Sequence, residues 1–148
     1  MRRSLSQLSI LFFLFCFGGF TYYTIEIICR GFSHFSMFIV GGLCFVIIGL
    51  INEGRKTKYM LFQYQCLIGA GIITVLEFIS GCIVNLLLHW NVWDYSDRAF
   101  NLFGQICLHH SVCYWIPLSA LSIIVDDMLR GLMFDEDIPE YRFRNKKR

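Results

Sequence analysis

MLFQYQCLIGAGIITVLEFISGCIVNLLL, from Met60 to Leu88, carries a single charged residue, Glu77, in a run long enough to cross a lipid bilayer. The hydrocarbon core of a bilayer is about 30 Å thick and a helix rises about 1.5 Å per residue, so about 20 mostly apolar residues make a span. Within the run, Thr74, Glu77, Gly81 and Asn85 recur at intervals of three and four, which puts them on one face of a helix. A carboxylate and an amide on that face are expensive in hydrocarbon and must turn toward other protein or a water-filled cavity. The small residues beside them suit close approach by a second helix. This stretch therefore predicts a membrane helix with partners.

Three further runs supply those partners. They extend from about Leu8 to Cys29, from Phe35 to Ile51 with Gly41, Gly42 and Gly49, and from Phe100 to Val125 with Pro117. A chain of 148 residues that is 56% hydrophobic and only 16% charged is too apolar for an ordinary soluble domain. No linker or low-complexity tract divides it. The fold expected is all-α, a single transmembrane domain over residues 1–148 with helices at about 8–29, 35–51, 60–88 and 100–125 and a basic tail at 130–148. Arg2 and Arg3 before the first run suggest a signal peptide, but the run is too long and lacks small residues near Cys16, so a retained helix is expected.

The basic residues orient the bundle. Arg2, Arg3, Arg55, Lys56, Lys58, Arg130, Arg142, Arg144, Lys146, Lys147 and Arg148 fall on one side, eleven of the thirteen, leaving Arg30 and Arg98 opposite. The positive-inside tendency then makes both termini cytoplasmic and the number of spans even. The tail YRFRNKKR interleaves bases with aromatics and suits anionic lipid, with no nucleic-acid partner expected. A bundle of four spans is thin for a solute pathway, so a homo-oligomer or a partner subunit is expected.

On this orientation Trp90 to Phe100 is an external loop, and Asn101, Gln105 and His109, spaced by four, form a polar stripe on the outer half of the fourth helix. The amides of Asn85, Asn101 and Gln105 need partners inside the bilayer. Two readings follow: an outward polar pocket built from Glu77, Asn85, Asn101 and Gln105 and roofed by Trp93, Asp94, Tyr95 and Ser96, or a hydrogen-bond network that only holds the helices in register. Glu26 and Arg30, one turn apart, are expected to pair. At the cytoplasmic face Asn52, Glu53, Asp126, Asp127 and Arg130 are candidates for docking a soluble partner.

The seven cysteines stand singly, with no CxxC, and read as small apolar packing residues rather than a disulfide or zinc framework. His109 and His110 are adjacent, so they point about 100° apart on a helix, and no metal set is expected. A lipid-processing enzyme using Glu77 or Asp94 as base and His109 as partner would need a nucleophile at recognisable spacing, and none occurs. The chain is expected not to be an enzyme and to need no cofactor.

Three strings together resemble the bacterial family of putative type IV ABC-transporter membrane proteins: SMFIVGGLCFVIIGLINE (Ser36 to Glu53), TVLEFISGCIVN (Thr74 to Asn85) and VWDYSDRAFNLFGQICL (Val92 to Leu108). The likeness covers about Phe32 to Met133. Positions matching the family pattern are Ser36, Gly41, Gly42, Asn52, Glu53, Glu77, Gly81, Asn85, Trp93, Asp94, Tyr95, Ser96, Asn101, Gly104 and Gln105. Ala99 departs from it, standing where members often carry proline. The resemblance implies a small multi-pass protein of the bacterial inner membrane. No GxxxxGK[ST] motif is present, so within an ABC system hydrolysis would belong to a separate ATPase subunit.

Overall fold

The computed structural model describes residues 2–53 and 60–144, with side chains from Gln7 onward. Arg55, Lys56, Lys58, Lys146, Lys147 and Arg148, which carry much of the orientation argument, lie outside the described residues, and the side chains of Arg2 and Arg3 are likewise not described. The elements are α1 (Arg2–Arg30), α2 (Phe35–Gly49), α3 (Phe62–Gly81) running on into a π-helical turn (Cys82–Leu87), a two-strand hairpin β1 (Asn101–Leu102) and β2 (Ile106–Cys107), α4 (Leu108–Cys113) and α5 (Trp115–Phe134). Three stretches, Gln7–Arg30, Phe62–Leu87 and Leu108–Phe134, are long and apolar enough to cross a membrane. With 15 residues, α2 is shorter, about 22 Å at a helical rise.

Between membrane helices there is little hydrophobic driving force, so close packing and hydrogen bonds must hold them. Paired glycines allow this for α1 and α2. Gly18 lies against Phe45 and Gly19 against Phe38, while Gly41 lies against Tyr22 and Gly42 against Phe15, a reciprocal antiparallel seam. On the other side of α2, Gly49 receives the Asp126 carboxylate, and Gly69 of α3 receives Ser119. Ile48 and Ile123 are fully buried at the centre, packed with Ala70, Ile73 and Trp115.

The fourth run departs from its predicted limits. Helix begins at Leu108, not near Phe100, because Phe103 and Gly104 both adopt left-handed backbone (φ 52° and 69°) and turn β1 back onto β2. The Gln105 N–H closes this turn on the Leu102 carbonyl at 3.0 Å, the geometry that suits a right-twisted hairpin. Helix then breaks once, at Tyr114. Pro117 would clash with the carbonyl of Cys113 in a continuous helix but is tolerated in the first turn of a new one. At the far end the chain runs helical to Phe134, past the predicted Val125, and reverses at Asp135 (φ 56°).

Residues 141–143 of the tail fold back onto α3. The Phe62 N–H donates to the Arg142 carbonyl at 2.7 Å, and the Tyr141 and Phe143 rings pack on Phe62. This strap covers the end of the bundle that carries Asn52 and Asp127. The opposite end is closed by the loop at 88–107.

Candidate functional site

At the loop end, α3 presents the stripe its sequence predicts. Thr74 donates to Ser111 at 3.1 Å, Glu77 accepts from Trp115, Gly81 lies flush under Gln105, and Asn85 reaches into the loop. The π-helical turn carries Asn85, which is fully satisfied: its Nδ2 donates to Trp93 O (3.0 Å) and Gln105 Oε1 (2.8 Å), and its Oδ1 accepts the Val92 N–H (2.7 Å). Gln105 also donates to Phe103 O, and its own carbonyl accepts the Trp93 indole N–H at 3.0 Å. These two buried amides are spent on each other and on backbone. Arg30 ties α1 to the same loop, donating to Val92 O (2.6 Å) and pairing with Glu26 (3.0 Å), as their spacing suggests.

Asn101 and Asp94 are not brought into this cluster. Asn101 is exposed and holds the hairpin, donating to Arg98 O (2.8 Å) and accepting the Gly104 N–H (3.0 Å). The predicted stripe of Asn101, Gln105 and His109 therefore does not exist as a helical face. Asp94 is exposed and caps its own turn, accepting from the Ser96 hydroxyl (2.6 Å) and N–H (2.8 Å). Those two bonds, the hydroxyl first, hold its carboxyl below the usual range.

Replacing Gln105 by Ala strips the acceptor from Asn85 and opens space over Gly81. The expected loss is about 1–2 kcal/mol, the cost of a buried donor left without its partner, with faster amide exchange through residues 92–107 as the check.

Glu77 is the side chain left with chemistry to offer. It is only 4% exposed. Its Oε1 accepts from the Tyr95 hydroxyl at 3.0 Å and its Oε2 from the Trp115 indole at 2.9 Å. Burial, then the Glu77 carboxylate, pushes the Tyr95 phenol well above its ordinary range, so it stays a donor. Glu77 also lines an interhelical cavity of about 180 Å³ whose walls include Phe17, Met37, Phe45, Ile48 and Leu118. A carboxylate has about four lone-pair directions, and the two donors here are both neutral. Among the described residues, no ion pair reaches Glu77. Trp115 escaped the sequence reading, although an indole N–H inside a membrane run must find an acceptor.

At the strap end the proposed docking residues are mostly interior. Asn52 donates to Asp127 (2.7 Å), Tyr141 donates to the same carboxylate (2.7 Å), and Arg130 pairs with Asp126 (2.7 Å) and Glu136 (3.2 Å). Asn52, Asp126, Asp127 and Arg130 are all buried, so as an open docking surface this set is corrected. Only Glu53 is exposed; it lines, with Arg130 and the acidic residues 135–137, a depression of about 700 Å³. Burial, then the bond to Asp127, raises the Tyr141 phenol.

Helices of this length and apolarity, with a buried carboxylate between them, define a membrane protein. The sequence model of the family described as putative ABC-transporter type IV matches residues 10–139, and the chain belongs to that family. No curated protein and no solved structure matched the chain. It is thus a membrane protein of a transporter-type family, and its buried carboxylate has to be read in that setting.

Proposed function

We propose that the chain is a non-enzymatic membrane component of an ABC-type transport system in the bacterial cytoplasmic membrane, with Glu77 as its solute-binding group. α2 completes a bundle of four spans, tilted or assisted by the turn at Leu50 and Ile51, and both termini lie in the cytoplasm. A separate ATPase subunit supplies hydrolysis and docks at the strap end, where Glu53 and the acidic residues 135–137 are within reach of solvent. The observation that carries this reading is the Glu77 carboxyl group, buried at the wall of a cavity with two neutral donors and, among the described residues, no cationic side chain paired with it. An intramembrane carboxylate so placed marks a solute, ion or proton site by default.

The Asn85 and Gln105 amides favour the packing reading for themselves, since each is already bonded within the loop latch. They position the lid over Glu77 and do not contact solute. Thermal unfolding in detergent against a panel of solutes of differing charge tests the proposal. Some member should stabilise the parent more than a folded Glu77→Gln protein; equal shifts for every solute in both proteins would refute it.

A further inference from the structure

The shape of the cavity narrows the kind of solute. Its volume, about 180 Å³, is close to that of an engineered apolar cavity of roughly 150 Å³ that holds one benzene. Apart from Glu77, its lining offers hydroxyls at Thr21, Tyr22 and Ser122 and is otherwise apolar. Such a space has room for one ring or a short alkyl body, not for a sugar or nucleotide that would leave polar groups unpaired.

Charge sets the second requirement. Tyr95 and Trp115 each donate a hydrogen bond to the Glu77 carboxyl group, and neither brings a positive charge to it. A cation beside Glu77 relieves the cost of an isolated buried charge, whereas an anion adds to it.

The position of the opening sets the third. Thr21 and Ile25 of α1 and Leu121 of α5 line the cavity and are also exposed, so its rim lies between α1 and α5. These helices meet at Phe13 and Phe134 toward one end and at Tyr22 and Trp115 toward the other. α1 is otherwise seated on α2. The outer faces around the rim, with Ile28 and Ile124, are apolar and exposed, as for a surface in contact with lipid.

We propose that the cleft between α1 and α5 is a lateral binding site for a small amphiphilic monocation, an ammonium on one ring or a short alkyl chain, whose charge rests on Glu77. The inference rests on the reading of Glu77 as the solute-binding group and adds the class of solute and its route from the bilayer.

The full chain in detergent is heated with benzylammonium, benzyl alcohol or benzoate at matched concentrations. Benzylammonium should raise Tm saturably, with an apparent affinity roughly tenfold above that of benzyl alcohol, the Coulombic attraction being largely offset by desolvation of the ammonium; benzoate should not bind. Glu77→Gln should bring amine and alcohol to the same affinity. Ser122→Leu fills the cavity without touching Glu77, Tyr95 or Trp115, and should abolish the shift by both; it keeps the test decisive if Glu77→Gln does not fold.

Equal binding of amine and alcohol by the parent, no shift with benzylammonium, or an amine shift that survives Ser122→Leu would overturn the proposal. Glu77-dependent binding of benzoate or alcohol alone would overturn the cation class while leaving Glu77 as the binding group. An amine preference that survives Glu77→Gln would overturn both.

Discussion

Asp126→Ala is expected to destabilise the protein by about 3–5 kcal/mol, the range for removing one partner of a buried ion pair. Asp126 is 0% exposed, and its carboxylate holds the Arg130 Nε at 2.7 Å. Without it the guanidinium keeps, among the described residues, only Glu136, at 3.2 Å and nearer the surface. The cost is that of an uncompensated buried charge, so the double variant Asp126→Ala/Arg130→Met should recover part of the loss. Unfolding by heat or a denaturing detergent, followed by helicity, measures both. A loss below about 1 kcal/mol for the single variant, the level of an exposed pair, would show that solvent reaches Arg130 and that this end is more open than described.

Gly42→Leu should be nearly as damaging, at about 3 kcal/mol, the upper end of the usual cost of overpacking. A Cβ on Gly42 would meet the Phe15 carbonyl oxygen at 2.6 Å, a backbone atom that cannot rotate away. Relief requires α1 to move off α2, and among the described residues the rest of the bundle offers α1 little other support: the Arg30 bond to Val92 and the Tyr22–Trp115 ring contact toward one end, and the Phe13–Phe134 ring contact toward the other. The variant should therefore expose α1 to proteolysis in detergent while α3 and α5 stay paired through Gly69 and Ser119. Gly71, which meets no neighbouring atom, is the control, and Gly71→Leu should change stability little.

The fold was legible where physics acts through periodicity. Length and apolarity located the long helices, and the interval from Thr74 to Asn85 identified a face that does turn inward, meeting Ser111, Trp115 and Gln105 in turn. The same periodicity misled at Asn101, Gln105 and His109. A spacing of four is what a helix shows, but Gly104 at φ 69° and the Asn101 side chain on its N–H make a turn there. Asn101 and Gly104 together were the available turn signal, since Asn bonds back to nearby backbone and Gly accepts positive φ.

The strap end was misread for a different reason. Asn52, Asp126, Asp127 and Arg130 looked exposed because charged residues at helix ends usually are. Tyr141 returns over Asp127 and Phe62, Asn52 bonds Asp127, and Asp126 is seated against Gly49; contacts between residues so far apart in sequence leave no local pattern.

Cys44 lines the same cavity as Glu77, whereas Cys113 is exposed on α4, so the pair reports the cavity's charge against an internal reference. The most direct test follows modification of each thiol by peptide mass spectrometry, using aminoethyl and sulfonatoethyl methanethiosulfonate on the parent and on Glu77→Gln. In the parent, the cationic reagent should be favoured over the anionic one at Cys44 by roughly tenfold relative to Cys113, the scale of one nearby buried charge, and Glu77→Gln should remove that preference. A Cys44 preference equal in the two proteins would contradict the central claim that Glu77 presents its charge to a solute in this cavity.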